Sequence, residues 1–181
     1  MVEQPASFPP DPWATYQACL REPPDSSHLL IIQDDALPVP GFWPAVQQIA
    51  ESNPETPVCL WMSSIPAATA ARARRAWGKQ VYVPLGPAPF VPLVAVLWPT
   101  AAATRFHQWS ETASGLTRAD DGNVARWARQ ARQEFLVTVP SIVEHDDFTP
   151  SVKGGNQEAS EGLDRTRVAA LLADEASRYQ W

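Results

Sequence analysis

The stretch His28-Leu29-Leu30-Ile31-Ile32-Gln33-Asp34-Asp35-Ala36-Leu37-Pro38 is a continuous apolar run that stops on two adjacent carboxylates. Its length and its isoleucines predict a central β-strand covered on both faces. Asp34 and Asp35 then stand at the carboxyl end of that strand. In open α/β sheets ligands bind outside this edge, and paired oxygen donors there suit a hard divalent cation, Mg²⁺ or Mn²⁺. The same residues also suit a solvated turn, because Asp and Pro commonly close strands. The rest of the chain decides between the two.

Outward from this strand the pattern alternates. Asp11-Pro12 opens a helix through Trp13, Tyr16 and Leu20 that Pro23-Pro24 ends. After the carboxylates, Gly41 to Ser52 carries Phe42, Val46 and Ile49 at helical spacing, and Val58 to Met62 reads as a second strand. Ala67 to Trp77 is an Ala- and Arg-rich helix, followed by a short strand in Gln80 to Leu85. The Val-rich run Phe90 to Leu97 leads into a helix capped by Thr100. Asp120 or Asp121 caps the next, whose Val124, Trp127, Ala128 and Ala131 share one face. Phe135 to Val139 alternates as a strand before Pro140. Ser151 to Gly162, with Gly154-Gly155, reads as a flexible loop, and Leu163 to Tyr179 as a final helix. The expected layout is a core over residues 1–150 and an appended loop and helix over 151–181.

Composition narrows the class. The chain has 181 residues, 45% hydrophobic and 19% charged, which fits one domain with a substantial core. Its formal charge of −6 argues against coating nucleic acid through a general positive field. Arg72, Arg74, Arg75 and Lys79 form a local basic cluster, and Arg126, Arg129 and Arg132 another; each reads first as a solvated helix face. Cys19 and Cys59 lack the spacing of a metal or redox motif. No apolar run approaches the roughly 20 residues of a membrane span, and no leader pattern opens the chain. A cytoplasmic protein without membrane contact is expected, host-cytoplasmic if phage-encoded.

Four segments carry chemistry: Gln33-Asp34-Asp35 after a strand, Asp120-Asp121 opening a helix, Val139-Pro140-Ser141-Ile142-Val143-Glu144-His145, and the loop Lys153-Gly154-Gly155-Asn156. In order and surroundings they resemble the GT-A glycosyltransferases, in particular small phage and bacterial members. There a Q/E-D-D acidic motif ends a strand, a later acid opens a helix, and a V-P-S-L-V-x-H segment closes the core. The resemblance spans roughly Asp11 to Lys153. The strand-helix-strand unit with which that family opens has no counterpart ahead of His28. The resemblance therefore implies an α/β, Rossmann-like GT-A fold, shortened at its amino end, with a central, mostly parallel sheet flanked by helices.

Residue by residue, the resemblance implies that Asp35 holds the metal, with Asp34 or Gln33 assisting on the donor. His145 would be a second ligand or a phosphate contact. Lys153, Gly154 and Asn156 would contact the donor's phosphates. Asp121, or its neighbour Asp120, would be the general base of an inverting transfer. Trp98, Trp109 and Trp127 are candidate stacking platforms, although helical and strand spacing suits the core as well. The implied activity is Mn²⁺- or Mg²⁺-dependent transfer from a nucleotide-sugar to a hydroxyl, such as a modified base of phage DNA or a virion protein. The alternative is a non-catalytic or partner-dependent module on the same fold, docking a partner chain or a second copy.

Overall fold

A computed structural model describes residues 11–21, 25–63, 67–86, 91–145, 169 and 171–181. The chain is an α/β fold of seven strands and five helices among these residues. In chain order they are α1 (Pro12–Arg21), β1 (His28–Ile32), β2 (Ala36–Pro38), α2 (Phe42–Ser52), β3 (Val58–Cys59), α3 (Ala67–Ala76), β4 (Tyr82–Pro84), β5 (Ala95–Pro99), α4 (Thr100–Thr112), α5 (Asp120–Ala131), β6 (Leu136–Thr138) and β7 (Val143–His145). The main sheet has the order β1-β5-β3-β6-β4, and β2 and β7 form a separate two-stranded sheet. None of the described helices is long and apolar enough to cross a membrane.

The mostly parallel sheet expected from the sequence is not what forms. Only β3 and β6 pair in parallel, and β1·β5, β5·β3 and β6·β4 are antiparallel. The strand-helix rhythm does send β1, β3 and β6 in one direction. The rhythm fixes neither direction nor adjacency throughout: β4 and β5 run against the other three, β5 between β1 and β3 and β4 at the far edge. By the same insertion β1 is an edge strand rather than a central one, and the fully buried strands are β5 and β3 inside the sheet.

Side-chain alternation builds a core on each face of the sheet. Ile31, Cys59, Val96, Trp98 and Val137 point to one face, where α1, α3, α4 and α5 supply Tyr16, Ala73, Phe106 and Trp127. Val58, Ala95 and Leu97 point to the other, covered by Phe42, Val46 and Ile49 of α2. Leu29 packs toward the first core and Leu30 and Ile32 toward the second, so β1 is covered on both faces despite its edge position.

Residues 171–181 do not continue the expected final helix. They run extended across the second face, with one 3-10 turn at Ala176–Arg178. The Ser141 N–H donates to Leu171 O at 2.7 Å, the Ala173 N–H to Ser141 O at 2.8 Å and the Ala176 N–H to Pro40 O at 2.8 Å. These tertiary partners satisfy backbone groups that a helix would pair internally, while Ala173, Ala176 and Trp181 bury their side chains.

Candidate functional site

Sheet direction builds the site. Because β1, β3 and β6 run the same way, the residues following them emerge along one edge: Gln33 after β1, Trp61 and Ser63 after β3, and Pro140-Ser141 after β6. At Gln33 the chain bonds across to β5 (Gln33 N–H to Val94 O, 2.9 Å) and then turns, with the Ala36 N–H donating back to Gln33 O at 3.2 Å. Asp34 and Asp35 occupy that turn. Asp34 is exposed, whereas Asp35 is 9% exposed.

The small sheet brings the last sequence segment to the first. β2 pairs with β7 so that Ala36 lies opposite His145. This register sets the His145 Nε2 3.2 Å from Asp35 Oδ2, with both side chains about 8% exposed. The Trp61 ring lies 5.8 Å from the imidazole, centre to centre. The buried indole N–H of Trp61 has no hydrogen-bond partner among the described residues.

Asp120 and Asp121 begin α5, after Ala119 at its N-cap. The helix start is clasped by Asn123, whose side chain accepts from the Thr117 N–H at 3.1 Å and donates to Thr117 O at 2.8 Å. The Val91 N–H donates to Asp121 O at 3.2 Å, tying the helix start to the segment entering β5. The Asp121 N–H donates to Asp120 Oδ1 at 2.9 Å, and the Gly122 N–H to Asp121 Oδ1 at 2.6 Å. Burial pushes the Asp120 carboxyl up to about 6; the hydrogen bond from Asp121 opposes this and the Asp121 charge adds to it. Burial likewise raises Asp121, against the hydrogen bond from Gly122.

These parts enclose one cavity of about 280 Å³, whose polar wall comprises Gln33, Ser63, Asp120, Asp121 and His145, with Trp61 and Val91 among its apolar neighbours. Asp35 stands behind His145 rather than on the wall. The groups facing this common space are an imidazole, an amide and two carboxylates of raised basicity, and the imidazole is backed by the Asp35 carboxylate. A larger hollow of about 520 Å³, between Leu85, Ala128, Arg132 and Phe135, contains none of the expected site residues.

The structure therefore brings together Gln33, Asp35, His145, Asp120 and Asp121 from three distant parts of the chain, and leaves Asp34 outside. Lys153, Gly154 and Asn156 lie outside the described residues. The tryptophan platforms are core residues instead. Trp98 is wholly buried, stacked on Phe106 at 5.5 Å and donating to the Tyr16 hydroxyl at 2.9 Å, and Trp127 is 2% exposed. Trp109 packs against the same core and donates to Gln130. Sequence reasoning missed Trp61 and Ser63. Their signal was present, since they follow a strand that shares its direction with β1. Comparison with protein-family models, curated proteins and solved structures finds no match to this chain.

Proposed function

We propose that the chain is a metal-dependent glycosyltransferase with a GT-A-like architecture, moving a sugar from a nucleotide-sugar to a hydroxyl acceptor with inversion. The observation that carries this reading is the convergence of Gln33, His145 and Asp120-Asp121 on one cavity at the edge where β1, β3 and β6 end, with Asp35 off the wall but paired to His145 at 3.2 Å.

The donor set fits a divalent cation. Asp35 and His145 offer a carboxylate and an imidazole 3.2 Å apart, and no group of three His, Cys, Asp or Glu stands ready to hold a metal among the described residues. Asp35 and His145 would be the residues that hold Mg²⁺ or Mn²⁺. When bound, the cation offsets the negative charge of the departing nucleoside diphosphate.

The remaining work belongs to the chain's own side chains. Gln33 presents an amide to the donor's polar groups. Trp61 excludes water beside His145. Asp120, its basicity raised to about 6 by burial, is ionised at neutral pH and takes the proton of the acceptor hydroxyl. The acceptor oxygen bonds to the anomeric carbon as the bond from that carbon to the diphosphate breaks. Asp121 keeps its neighbour's basicity high through its negative charge.

The test is calorimetric titration with UDP-, GDP- and dTDP-sugars, with and without Mn²⁺, on the wild type and Asp35→Ala. Metal-dependent binding that the variant loses supports the reading and identifies the nucleotide. No metal-dependent binding to any donor overturns it in favour of a non-catalytic module.

A further inference from the structure

The hollow of about 520 Å³ alongside α5 is walled mostly by apolar side chains: Leu85, Val91, Ala125, Ala128 and Phe135. Its volume falls in the roughly 300–1,000 Å³ usual for a small-molecule site. It adjoins the cavity, because Val91 lines both. The Val91 N–H also donates to Asp121 O at 3.2 Å, so the junction lies at the start of α5.

Helical spacing extends that junction into a track. Asp121, Ala125, Ala128 and Arg132 recur along one stripe of α5 and its C-cap. Asp121 lines the cavity, and the other three line the hollow. From Asp121 to Arg132 the helix rises about 16 Å, and the two alanines between them project only methyl groups.

Arg132 closes the far end. Its φ of 52° is the one positive value outside glycine among the described residues, at a helix end where glycine or asparagine is usual. The fold thus holds a long cation in a backbone conformation that costs arginine more than glycine. The guanidinium is exposed and forms no ion pair or hydrogen bond among the described residues. Arg129 and Arg132 share the wall with one carboxylate, Glu134, which leaves a single positive charge in excess. That excess suits a singly charged anion, a carboxylate, which a guanidinium holds with two parallel hydrogen bonds.

We infer that this hollow takes the acceptor of the transfer, an elongated amphipathic compound with a hydroxyl at one end, an apolar body and a carboxylate at the other. The carboxylate pairs with Arg132, the body lies over Ala125 and Ala128, and the hydroxyl passes Val91 to reach Asp120 and Asp121. Its oxygen bonds to the anomeric carbon, its proton goes to Asp120, and the nucleoside diphosphate departs. The inference rests on the glycosyl-transfer reading for the reaction and not for the binding.

Calorimetric titration with ω-hydroxylaurate, without donor or metal, tests the binding. Wild type and Asp35→Ala should bind it alike, which separates failure of this inference from failure of the donor site. Ala128→Phe fills the hollow and should abolish binding. Arg132→Asn places a residue that accepts the left-handed conformation and removes the cation. It should weaken ω-hydroxylaurate roughly tenfold, the worth of one charge-assisted hydrogen bond, and leave lauryl alcohol, which lacks the carboxylate, unchanged. Because Arg132 is exposed, this variant should melt like the wild type, and it carries the test if Ala128→Phe unfolds. With a bound donor, the sugar should appear on the hydroxyl of ω-hydroxylaurate. Absence of binding to the wild type, equal affinity in a folded variant, or a bound donor whose sugar goes to DNA or a protein hydroxyl and not to ω-hydroxylaurate would each overturn it.

Discussion

At Asp120 burial and function oppose each other. Its carboxyl titrates at about 6 in the fold against an ordinary value near 4 unfolded, so the folded chain holds the proton more tightly. Stability from this group is present below about pH 4 and is lost as pH rises through about 6. Asp120→Asn should therefore raise stability at pH 7 by about 1–2 kcal/mol, the full shift being discounted for partial solvent exposure, and change it little at pH 4. The same variant should bind donor and transfer nothing, and wild-type transfer should fall away below pH 6. Urea titration at the two pH values and a rate profile check both halves. Trp61→Phe keeps the ring and removes the unpartnered N–H. Its melting temperature should not fall, because the N–H it loses is buried and paired with no group among the described residues; thermal unfolding checks this. At this scale much was legible in the sequence: Gln33, Asp35, His145 and the Asp120-Asp121 pair all reach one place. Asp34 misled because alternate side chains in a tight turn face opposite ways, and a dipeptide does not reveal which faces inward.

At the scale of elements, placement of Asp120 depends on the clasp at the start of α5. Asn123 is 3% exposed and satisfies both backbone groups of Thr117. Asn123→Ala should cost about 1–3 kcal/mol by leaving those groups unpaired, and should lower the transfer rate more than donor affinity because it frees the base and leaves the Asp35–His145 pair alone. Chemical denaturation and a kcat-against-KM comparison check this. Elements were legible where local pattern governs: the helix opened by Asp11, whose carboxylate accepts from the Ala14 N–H at 3.1 Å, and strands beginning at His28 and Val58, although the second stops at Cys59 rather than Met62. The final helix was not legible. Leu171 and Leu172 suit helical spacing, yet the segment finds better partners in Pro40 and Ser141, and no local signal encodes a pairing with residues 30 or more positions away.

At the scale of the whole molecule, the two faces of the sheet are unequally closed. Four helices cover one; α2 and the segment from Ala173 to Trp181 cover the other. Trp181 is 9% exposed, its indole donates to Ala176 O at 2.9 Å and its carbonyl accepts from the Ser52 hydroxyl at 2.9 Å. Trp181→Ala should cost about 3 kcal/mol, and thermal unfolding should remain a single transition because this segment belongs to the shared core. The common direction of β1, β3 and β6 was readable from the strand-helix rhythm, but the reversal of β4 and β5 and the strand order were not, since β5 enters between β1 and β3 from a distant part of the chain.

That order has a kinetic consequence. Along β1-β5-β3-β6-β4, and in β2-β7, no strand pairs with the one that follows it in the chain, so the described sheets contain no β-hairpin. Leu29 must wait for Trp98 and Ala36 for His145 before either ladder closes. Such distant pairings make folding slow, in the range of milliseconds to seconds or longer, and leave the apolar strands bare throughout that time. A chain emerging from the ribosome cannot close its second sheet until residue 145 is out, and until then its unpaired strand edges are what a chaperone, or another copy of the chain, will meet.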